Sequence, residues 1–182
     1  MRIIAGIHRS RILKMVPSDD TKETSDKVRG AIFNSLGELV LNANILDLFA
    51  GSGAYGLEAI SRGAALCMFN DSKLSACKTI QENIVNLRVE KQSTLWQLDY
   101  LKAIDKIKNE NLKFDIIFVD PPYKMDVYEE VLNHLSPQLN PGGIIVLEMH
   151  KDRVINLESV FNMKFRNEKI YGIKKVNYFS NI

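Results

Sequence analysis

The sequence predicts an α/β protein with one mostly parallel sheet and helices on both of its faces. Short apolar runs typical of buried strands alternate with stretches that repeat apolar residues at the helical period. A glycine-rich loop follows the first run, and an acidic residue stands at or just after the end of each of the first four runs. In parallel sheets, ligands bind at the carboxyl ends of the strands, so this edge is predicted to carry the function.

The first 24 residues are predicted to form a basic arm in front of one main domain, residues 25–182. Residues 2–16 alternate loosely around Gly6, a pattern typical of a short β-hairpin or an extended arm. Residues 18–24 are polar and are predicted to form a loop.

Five helices and seven strands are predicted beyond the arm. The first helix begins at Ser25 or Asp26, where a polar side chain can cap it, and Gly37 ends it. The other helical stripes are 54–62, 74–87, 101–107 and 128–135. The strands are 45–49, 66–70, 94–98, 114–119 and 143–149, with two more in 165–180 around Gly172.

The composition is that of an ordinary globular protein, with 182 residues, 46% of them hydrophobic and 25% charged. No apolar run approaches the roughly 18 residues of a membrane span, and no apolar stretch follows the first charge as in a signal peptide. We therefore expect a cytoplasmic protein without a membrane partner. Cys67 and Cys77 lack the close spacing of metal ligands, so we expect reduced thiols and no metal.

The glycine-rich loop has the spacing of a nucleotide site. Residues 51–56 fit the pattern G-x-G-x-x-G, and Asp71, 20 residues after the first glycine, can accept hydrogen bonds from ribose hydroxyls. A plain tight turn and an NAD site are the alternatives. Asp47 disfavours NAD, because a carboxylate so close to the loop repels a diphosphate. S-adenosylmethionine fits better, with a positive amino group for Asp47, a ribose for Asp71 and an adenine for Asp99.

The turn Asp120-Pro121-Pro122-Tyr123, directly after a buried strand, is the most specific signal in the chain. The two prolines fix the backbone. The Asp120 carboxyl group and the Pro121 carbonyl group can then accept both hydrogens of an exocyclic amino group. Tyr123 offers a flat face for base stacking, which offsets the free energy of unstacking a target base. A rigid turn with a buried tyrosine is the alternative.

Together these motifs resemble the class I, S-adenosylmethionine-dependent amino-group methyltransferases. The resemblance narrows to the bacterial 16S ribosomal RNA guanine-N2 methyltransferases and covers nearly the whole chain. The narrower match rests on residues 2–6, 24–29, 31–34 and 57–64. It implies a single Rossmann-like domain whose seven-stranded sheet ends in a C-terminal antiparallel hairpin.

The resemblance implies methyl transfer from S-adenosylmethionine to the N2 amino group of a guanine in 16S ribosomal RNA. It puts the target guanine at the Asp120–Tyr123 turn, with Asp120, Pro121, Pro122 and Tyr123 as catalytic residues. The implied cofactor residues are Asp47, Phe49, Gly51, Ser52, Gly53, Asp71, Ser72, Asp99 and Tyr100. The chain departs from the family pattern twice: Ser72-Lys73 lacks a second acid after Asp71, and Lys22-Glu23 replaces an Arg-Pro pair.

Positive charge is concentrated at both ends of the chain, although the formal net charge is only +2. Residues 1–16 contain no acid, and residues 164–175 hold five basic side chains against one acid, so either end can dock a polyanion. The predicted RNA contacts are Arg2, Arg9, Arg11, Lys14 and Arg29. We expect a monomer whose partner is 16S ribosomal RNA in small-subunit particles. RNA in a folded particle is favoured over DNA, because a DNA enzyme usually needs a separate recognition region and 182 residues leave little room for one.

Three other functions stay open. The turn can bind an adenine N6 amino group equally well, so an RNA or DNA adenine-N6 methyltransferase is one alternative. The glycine fingerprint alone is compatible with an NAD-dependent oxidoreductase. A non-catalytic RNA-binding module that keeps a cofactor pocket would bind both ligands without methyl transfer.

Overall fold

The computed structural model describes residues 1–17 and 25–182. The predicted loop 18–24, the Lys22-Glu23 departure and the start of the matching segment 24–29 lie outside the described residues.

Seven strands form one mixed sheet in the order β3-β2-β1-β4-β5-β7-β6. Strands β1 to β5 run parallel, and β7 runs antiparallel to both β5 and β6. The strands are β1 Asn44–Asp47, β2 Leu66–Asn70, β3 Ser93–Trp96, β4 Phe114–Val119, β5 Leu139–His150, β6 Met163–Tyr171 and β7 Lys174–Asn181. The predicted parallel sheet with a C-terminal antiparallel hairpin is confirmed.

Helices cover both faces of the sheet, as predicted. They are α1 Asp26–Leu36, α2 Ala54–Ser61, α3 Leu74–Leu87, α4 Tyr100–Asn109 and α5 Tyr128–Leu135. Short 3-10 helices span Gly37–Val40, Glu90–Gln92, Ser136–Gln138 and Leu157–Ser159. The apolar residues of α1, α2 and α3 join one buried cluster, and those of α4 and α5 join another. None of the helices in the described residues is long and apolar enough to span a bilayer.

Strand β5 begins four residues before its predicted start at 143. Proline and glycine, which occupy positions 141–143, disfavour a regular strand, so the apolar pattern marks only the later part of β5. The segment pairs with β4 nonetheless, because the register shifts between Phe114 and Ile116 and accommodates the irregular residues.

The N-terminal arm folds back on itself, but its described residues, 1–17, form only one antiparallel bridge, Arg2 to Ile12, in place of the predicted hairpin strands. The reason is that α2 takes the backbone donors that a hairpin would use. The Ile7 N–H donates to the Ser61 carbonyl at 2.8 Å. Gly6 makes this close contact possible, since a Cβ there would lie 1.7 Å from the Ser61 carbonyl oxygen.

The order of the strands reverses between β1 and β4, which lie side by side in the middle of the sheet. Strand β1 ends at Asp47, and Asp120 directly follows β4. This reversal opens a crevice at the carboxyl edge of the sheet, where α/β proteins bind their ligands.

Candidate active site

A cavity of about 560 Å³ opens at this edge, within the range of small-molecule sites. Most of the residues predicted for the cofactor and the target base line it. They are Phe49, Gly51, Ser52, Asp71, Ser72, Asp99, Tyr100, Asp120, Pro121, Pro122 and Tyr123. The structure therefore brings together residues from four strand ends that are far apart in the chain.

Asp71 holds the glycine-rich loop in place. Its Oδ2 accepts from the Gly51 N–H at 2.9 Å, and its Oδ1 accepts from the Lys73 N–H at 2.9 Å. A carboxylate oxygen has two lone pairs, so each oxygen keeps one for a ligand hydroxyl. Gly56 brings the following helix close to β2, because a Cβ there would lie 2.2 Å from the Phe69 ring.

Asp47 lies beneath the loop instead of on the cavity wall, and only 2% of it is exposed. Its Oδ2 accepts from the Gly56 N–H at 3.1 Å, which ties α2 to the end of β1. Burial raises the pKa of Asp47 to about 7, although the hydrogen bond from Gly56 opposes this. The predicted direct contact of Asp47 with the cofactor is therefore not supported by this geometry. Gly53 also lies behind the wall.

Aromatic and amide groups form the opposite end of the cavity. The rings of Phe49 and Tyr100 lie 5.6 Å apart, and Asp99 caps α4 by accepting from the Leu101 N–H at 2.9 Å.

Asn70 was not predicted from the sequence. Its Nδ2 donates to two backbone carbonyls, and its buried Oδ1 has no hydrogen-bond partner within the described residues. The signal available was a polar residue that ends an apolar strand just before an acid.

The Asp120–Tyr123 turn forms the rim of the cavity beside β4. A hydrogen bond of 2.8 Å from the Met125 N–H to the Pro122 carbonyl stabilises the end of this turn. Tyr123 is 39% exposed, and its ring lies nearly perpendicular to that of His150, with 5.7 Å between centroids. The alternative of a buried tyrosine is therefore wrong, and an aromatic face remains available at the rim.

A buried charged cluster lies behind the turn. Lys174 of β7 forms an ion pair with Glu148 of β5, and the Tyr55 hydroxyl group donates to Glu148 Oε2 at 2.7 Å. Burial raises the pKa of Asp120 well above its usual range, and the neighbouring Glu148 raises it further, while Lys174 lowers it. The sequence had suggested that Lys174 and Lys175 bind phosphates as part of a basic tail. This is wrong, because both are only 7% exposed.

The side chains predicted to contact RNA divide into two groups. Arg2, Arg9, Arg11 and Lys14 are exposed on the arm. Arg29 is fully buried, so the prediction that it contacts RNA is wrong. It lies in α1, where its Nη2 donates to Asp26 Oδ1 at 3.0 Å and to the Arg2 carbonyl. It also borders the cavity, and its Nη1 has no hydrogen-bond partner among the described residues.

Within residues 1–17 and 25–182, no group of three or more histidine, cysteine, aspartate or glutamate side chains is arranged to hold a metal ion. Cys67 and Cys77 are both buried free thiols. Burial raises the pKa of Cys67 well above its usual value and also raises that of Cys77, so neither is activated as a nucleophile.

Residues 1–180 match the model of the family described as "Conserved hypothetical protein 95". The chain belongs to this family. It is 35% identical over 179 residues to the Bacillus subtilis protein named "Putative rRNA methyltransferase YlbH", covering 97% of this chain and 96% of the relative. It is 33% identical over 174 residues to the Escherichia coli "Ribosomal RNA small subunit methyltransferase D", covering 94% and 85%.

The fold is also that of solved methyltransferases. The structure titled "Putative methyltransferase yhhF from Escherichia coli" superposes with a TM-score of 0.84 at 29% identity and covers 100% of this chain and 97% of the other. The predicted resemblance and the class I, S-adenosylmethionine-dependent methyltransferase fold are thereby confirmed. The oxidoreductase alternative, which rested on the glycine fingerprint alone, is disfavoured.

Proposed function

We propose that this protein transfers a methyl group from S-adenosylmethionine to the N2 amino group of a guanine in 16S ribosomal RNA. It acts in the cytoplasm, as a monomer, on the small subunit or its assembly intermediate. The observation that carries this proposal is the Asp120–Tyr123 turn, held on the rim of a 560 Å³ cavity where the strand order reverses. The ribosomal RNA methyltransferases among its relatives support the same substrate class.

The cavity fits S-adenosylmethionine. Asp71 and Asp99 carry acceptors for hydroxyl and amino groups, and the buried Asn70 Oδ1 has no donor among residues 1–17 and 25–182, so such a ligand could supply one. Arg29 borders the cavity, and its Nη1 has no hydrogen-bond partner in the described part of the chain, which suits the carboxylate of the methionine part. The bound cofactor supplies an electrophilic methyl group, so the task of the protein is to position the partners.

The turn supplies the groups that orient the amino nitrogen. A carboxyl oxygen of Asp120 and the Pro121 carbonyl oxygen accept its two hydrogens, which turns its lone pair away from the base ring. Tyr123 stacks on the extruded base, an interaction worth about 1–3 kcal/mol. No covalent enzyme intermediate is needed, in keeping with two buried and inactive thiols.

The first test uses small ribosomal subunits that lack their methyl groups, with methyl-labelled S-adenosylmethionine. We expect label in 16S ribosomal RNA and none when Asp120 is replaced by alanine. Naked 16S RNA, assayed in parallel, shows whether the particle is required. Binding of cofactor and RNA without transfer would instead identify a non-catalytic module.

Replacing Asp71 by asparagine is expected to weaken the binding of S-adenosylhomocysteine at least tenfold. Hydrogen bonds to a charged acceptor are worth about 1.5–3 kcal/mol, and asparagine keeps the shape but loses the charge and one of the two acceptor oxygens. Isothermal titration calorimetry measures the change, with Asp105→Asn on the exposed side of α4 as the control. A dissociation constant within twofold of wild type would show that Asp71 only holds the loop.

Replacing Arg9, Arg11 and Lys14 by alanine is expected to weaken RNA binding on the order of ten- to a hundredfold and to flatten its salt dependence, because fewer phosphate counterions are released. The affinity for cofactor should not change. The control removes three positive charges elsewhere, at Lys106, Lys108 and Lys113. An equal loss of RNA affinity in the two triple variants would mean that the arm has no specific part in RNA binding.

A further inference from the structure

The N-terminal arm forms part of the cavity wall, a role that its basic side chains do not explain. Its two limbs, residues 1–5 and 11–16, each bring one side chain to the cavity, Met1 and Val16. Val16 is only 6% exposed, and the Ser52 hydroxyl group of the glycine-rich loop lies 3.7 Å from the Met1 sulfur atom. One segment of chain therefore carries both the predicted RNA contacts and a part of the cavity.

Backbone hydrogen bonds join the two limbs of the arm. The Leu13 N–H donates to the Met1 carbonyl at 3.1 Å. The Ile3 N–H donates to the Arg11 carbonyl at 2.9 Å. The side chains of Ile3 and Leu13 are buried in the apolar cluster of α1, α2 and α3. The limbs thus form one unit, so a displacement of the arm withdraws both of its side chains from the cavity wall.

Asn83 of α3 links the arm to the glycine-rich loop, and only 1% of it is exposed. Its Oδ1 accepts from the Lys14 N–H at 2.8 Å. Its Nδ2 donates to the Lys14 carbonyl and to the Ser52 carbonyl, both at 3.0 Å. These bonds use both amide hydrogens and the amide oxygen, which fixes the orientation of the group. A single buried side chain therefore sets the position of the arm relative to the loop.

Two further contacts of the arm with α3 are made by exposed side chains. Lys14 Nζ pairs with Glu82 at 2.7 Å, and Arg11 Nη2 donates to the Asn86 carbonyl at 2.6 Å. Exposed ion pairs contribute little to stability, whereas the contact with Asn83 uses the Lys14 backbone. Arg11 and Lys14 can therefore exchange these partners for phosphates while the arm stays in place. For the same reason, removing the cations is expected to leave the affinity for cofactor unchanged.

We propose that the arm is a wall of the S-adenosylmethionine site and that Asn83 is the positioning residue that holds it against the glycine-rich loop. The cofactor binds against the docked arm, and RNA binds the cations that the docked arm presents. Each ligand stabilises the arrangement that the other one needs. This inference rests on the proposed function for the identity of the two ligands and adds that one segment serves both.

The first test is amide hydrogen exchange in the wild-type protein, followed by NMR. The N–H groups of Lys14 and Ile4 donate to Asn83 and Glu58, so they exchange when the arm leaves its docked position. S-adenosylhomocysteine at about 100 times its dissociation constant should slow this exchange on the order of ten- to a hundredfold. The control is the amide of Gln92, in the short 3-10 helix before β3 at the opposite edge of the sheet. No slowing in the arm, or equal slowing at the control, would overturn the inference.

The second test changes the positioning residue. Asn83→Asp keeps the shape of the side chain and an acceptor for the Lys14 N–H, but it loses both donors and places a carboxylate against two carbonyl groups. Calorimetry should show that S-adenosylhomocysteine binds at least tenfold more weakly. Asn86→Asp puts the same charge at an exposed position of α3 and should bind within twofold of wild type.

The third test releases the arm without touching the loop or the positioning residue. Leu13 is 2% exposed and does not line the cavity, so Leu13→Asp displaces the arm by placing a charge in its buried contact. S-adenosylhomocysteine should again bind at least tenfold more weakly. Ile12→Asp adds the same charge one residue earlier, where the side chain is 81% exposed, and should bind as wild type does. Wild-type affinity in Leu13→Asp would overturn the inference, because a defect of Asn83→Asp would then come from the loop alone.

The link to RNA is measured by equilibrium dialysis of labelled S-adenosylhomocysteine with saturating, unmethylated small subunits. Affinity scales with the docked fraction, so the subunits should restore most of the affinity lost in Asn83→Asp and change that of wild type much less. A merely structural defect in the loop would not be restored. Weak binding without restoration would overturn the link to RNA, together with the RNA contact proposed for the arm. Protection and restoration in a protein that transfers no methyl group would instead count against the proposed function alone.

Discussion

Replacing Asp120 by alanine is expected to reduce the rate of methyl transfer by about 10²- to 10⁴-fold, the range for a group that both orients and deprotonates a substrate. Asp120→Asn keeps an acceptor oxygen but cannot take a proton, so its rate should fall between those of wild type and Asp120→Ala. The loss should lie in kcat, because the two prolines hold the turn and the cavity wall is otherwise unchanged. Single-turnover rates on small subunits measure it.

Asp126→Ala is the matched control for this result. Asp126 lies in the same loop, but it is exposed and pairs with Arg153 at 2.7 Å, away from the cavity wall. We expect its kcat to stay within a few-fold of wild type. If Asp120→Ala also stayed within a few-fold, the assignment of the turn as the catalytic site would be wrong.

Replacing Glu58 by alanine is expected to lower the free energy of unfolding by about 3–5 kcal/mol, as when one partner is removed from a buried ion pair. Glu58 is fully buried in α2. Its oxygens accept from the backbone N–H groups of Ile4 at 2.8 Å and Ala5 at 3.1 Å, and from Arg62 at 2.6 Å. Without it, the two backbone N–H groups lose their acceptor, and the buried Arg29 loses the carboxylate 3.8 Å from its Nε while keeping its bonds to Asp26 and the Arg2 carbonyl. Urea denaturation measures the loss.

Glu82→Ala is the control for stability. Glu82 also links the arm to a helix, through an ion pair with Lys14 at 2.7 Å, but both side chains are exposed. Such pairs contribute about 0–1 kcal/mol. In hydrogen exchange, only the Glu58 variant should expose the amides of Ile4 and Ala5. A loss of unfolding free energy below 1 kcal/mol in Glu58→Ala would mean that other contacts hold the arm.

The parts of the fold that local patterns determine could be predicted from the sequence. Ser25 caps α1 by accepting a hydrogen bond from the Val28 N–H, as the polar residue before an apolar stripe indicated. Strand β4 was predicted with its observed bounds, because six consecutive residues fit a buried strand and a fixed turn follows. The location of the cavity could be predicted from the strands, because parallel strands bring their carboxyl ends to one edge of the sheet.

The parts of the fold and of the site that depend on pairing between distant residues could not be predicted from the sequence. Arg29 looked like an exposed cation of α1, and only the fold reveals that it is buried beside Glu58, at 3.8 Å. Lys174 looked like one charge in a basic run, but the β5–β7 register places it opposite His150, on the same face as Glu148, with which it forms a buried ion pair. The position of Asn70, a polar residue between an apolar strand and an acid, does not identify its acceptors, because the carbonyls of Leu48 and Leu98 belong to other segments.

The central claim is that the turn presents a guanine N2 amino group to the cofactor. The most direct test digests the 16S ribosomal RNA methylated by this protein to nucleosides and identifies the product by chromatography and mass spectrometry. We predict N2-methylguanosine, absent from the Asp120→Ala reaction and present with Asp126→Ala. N6-methyladenosine in its place would contradict the account and assign the same turn to adenine.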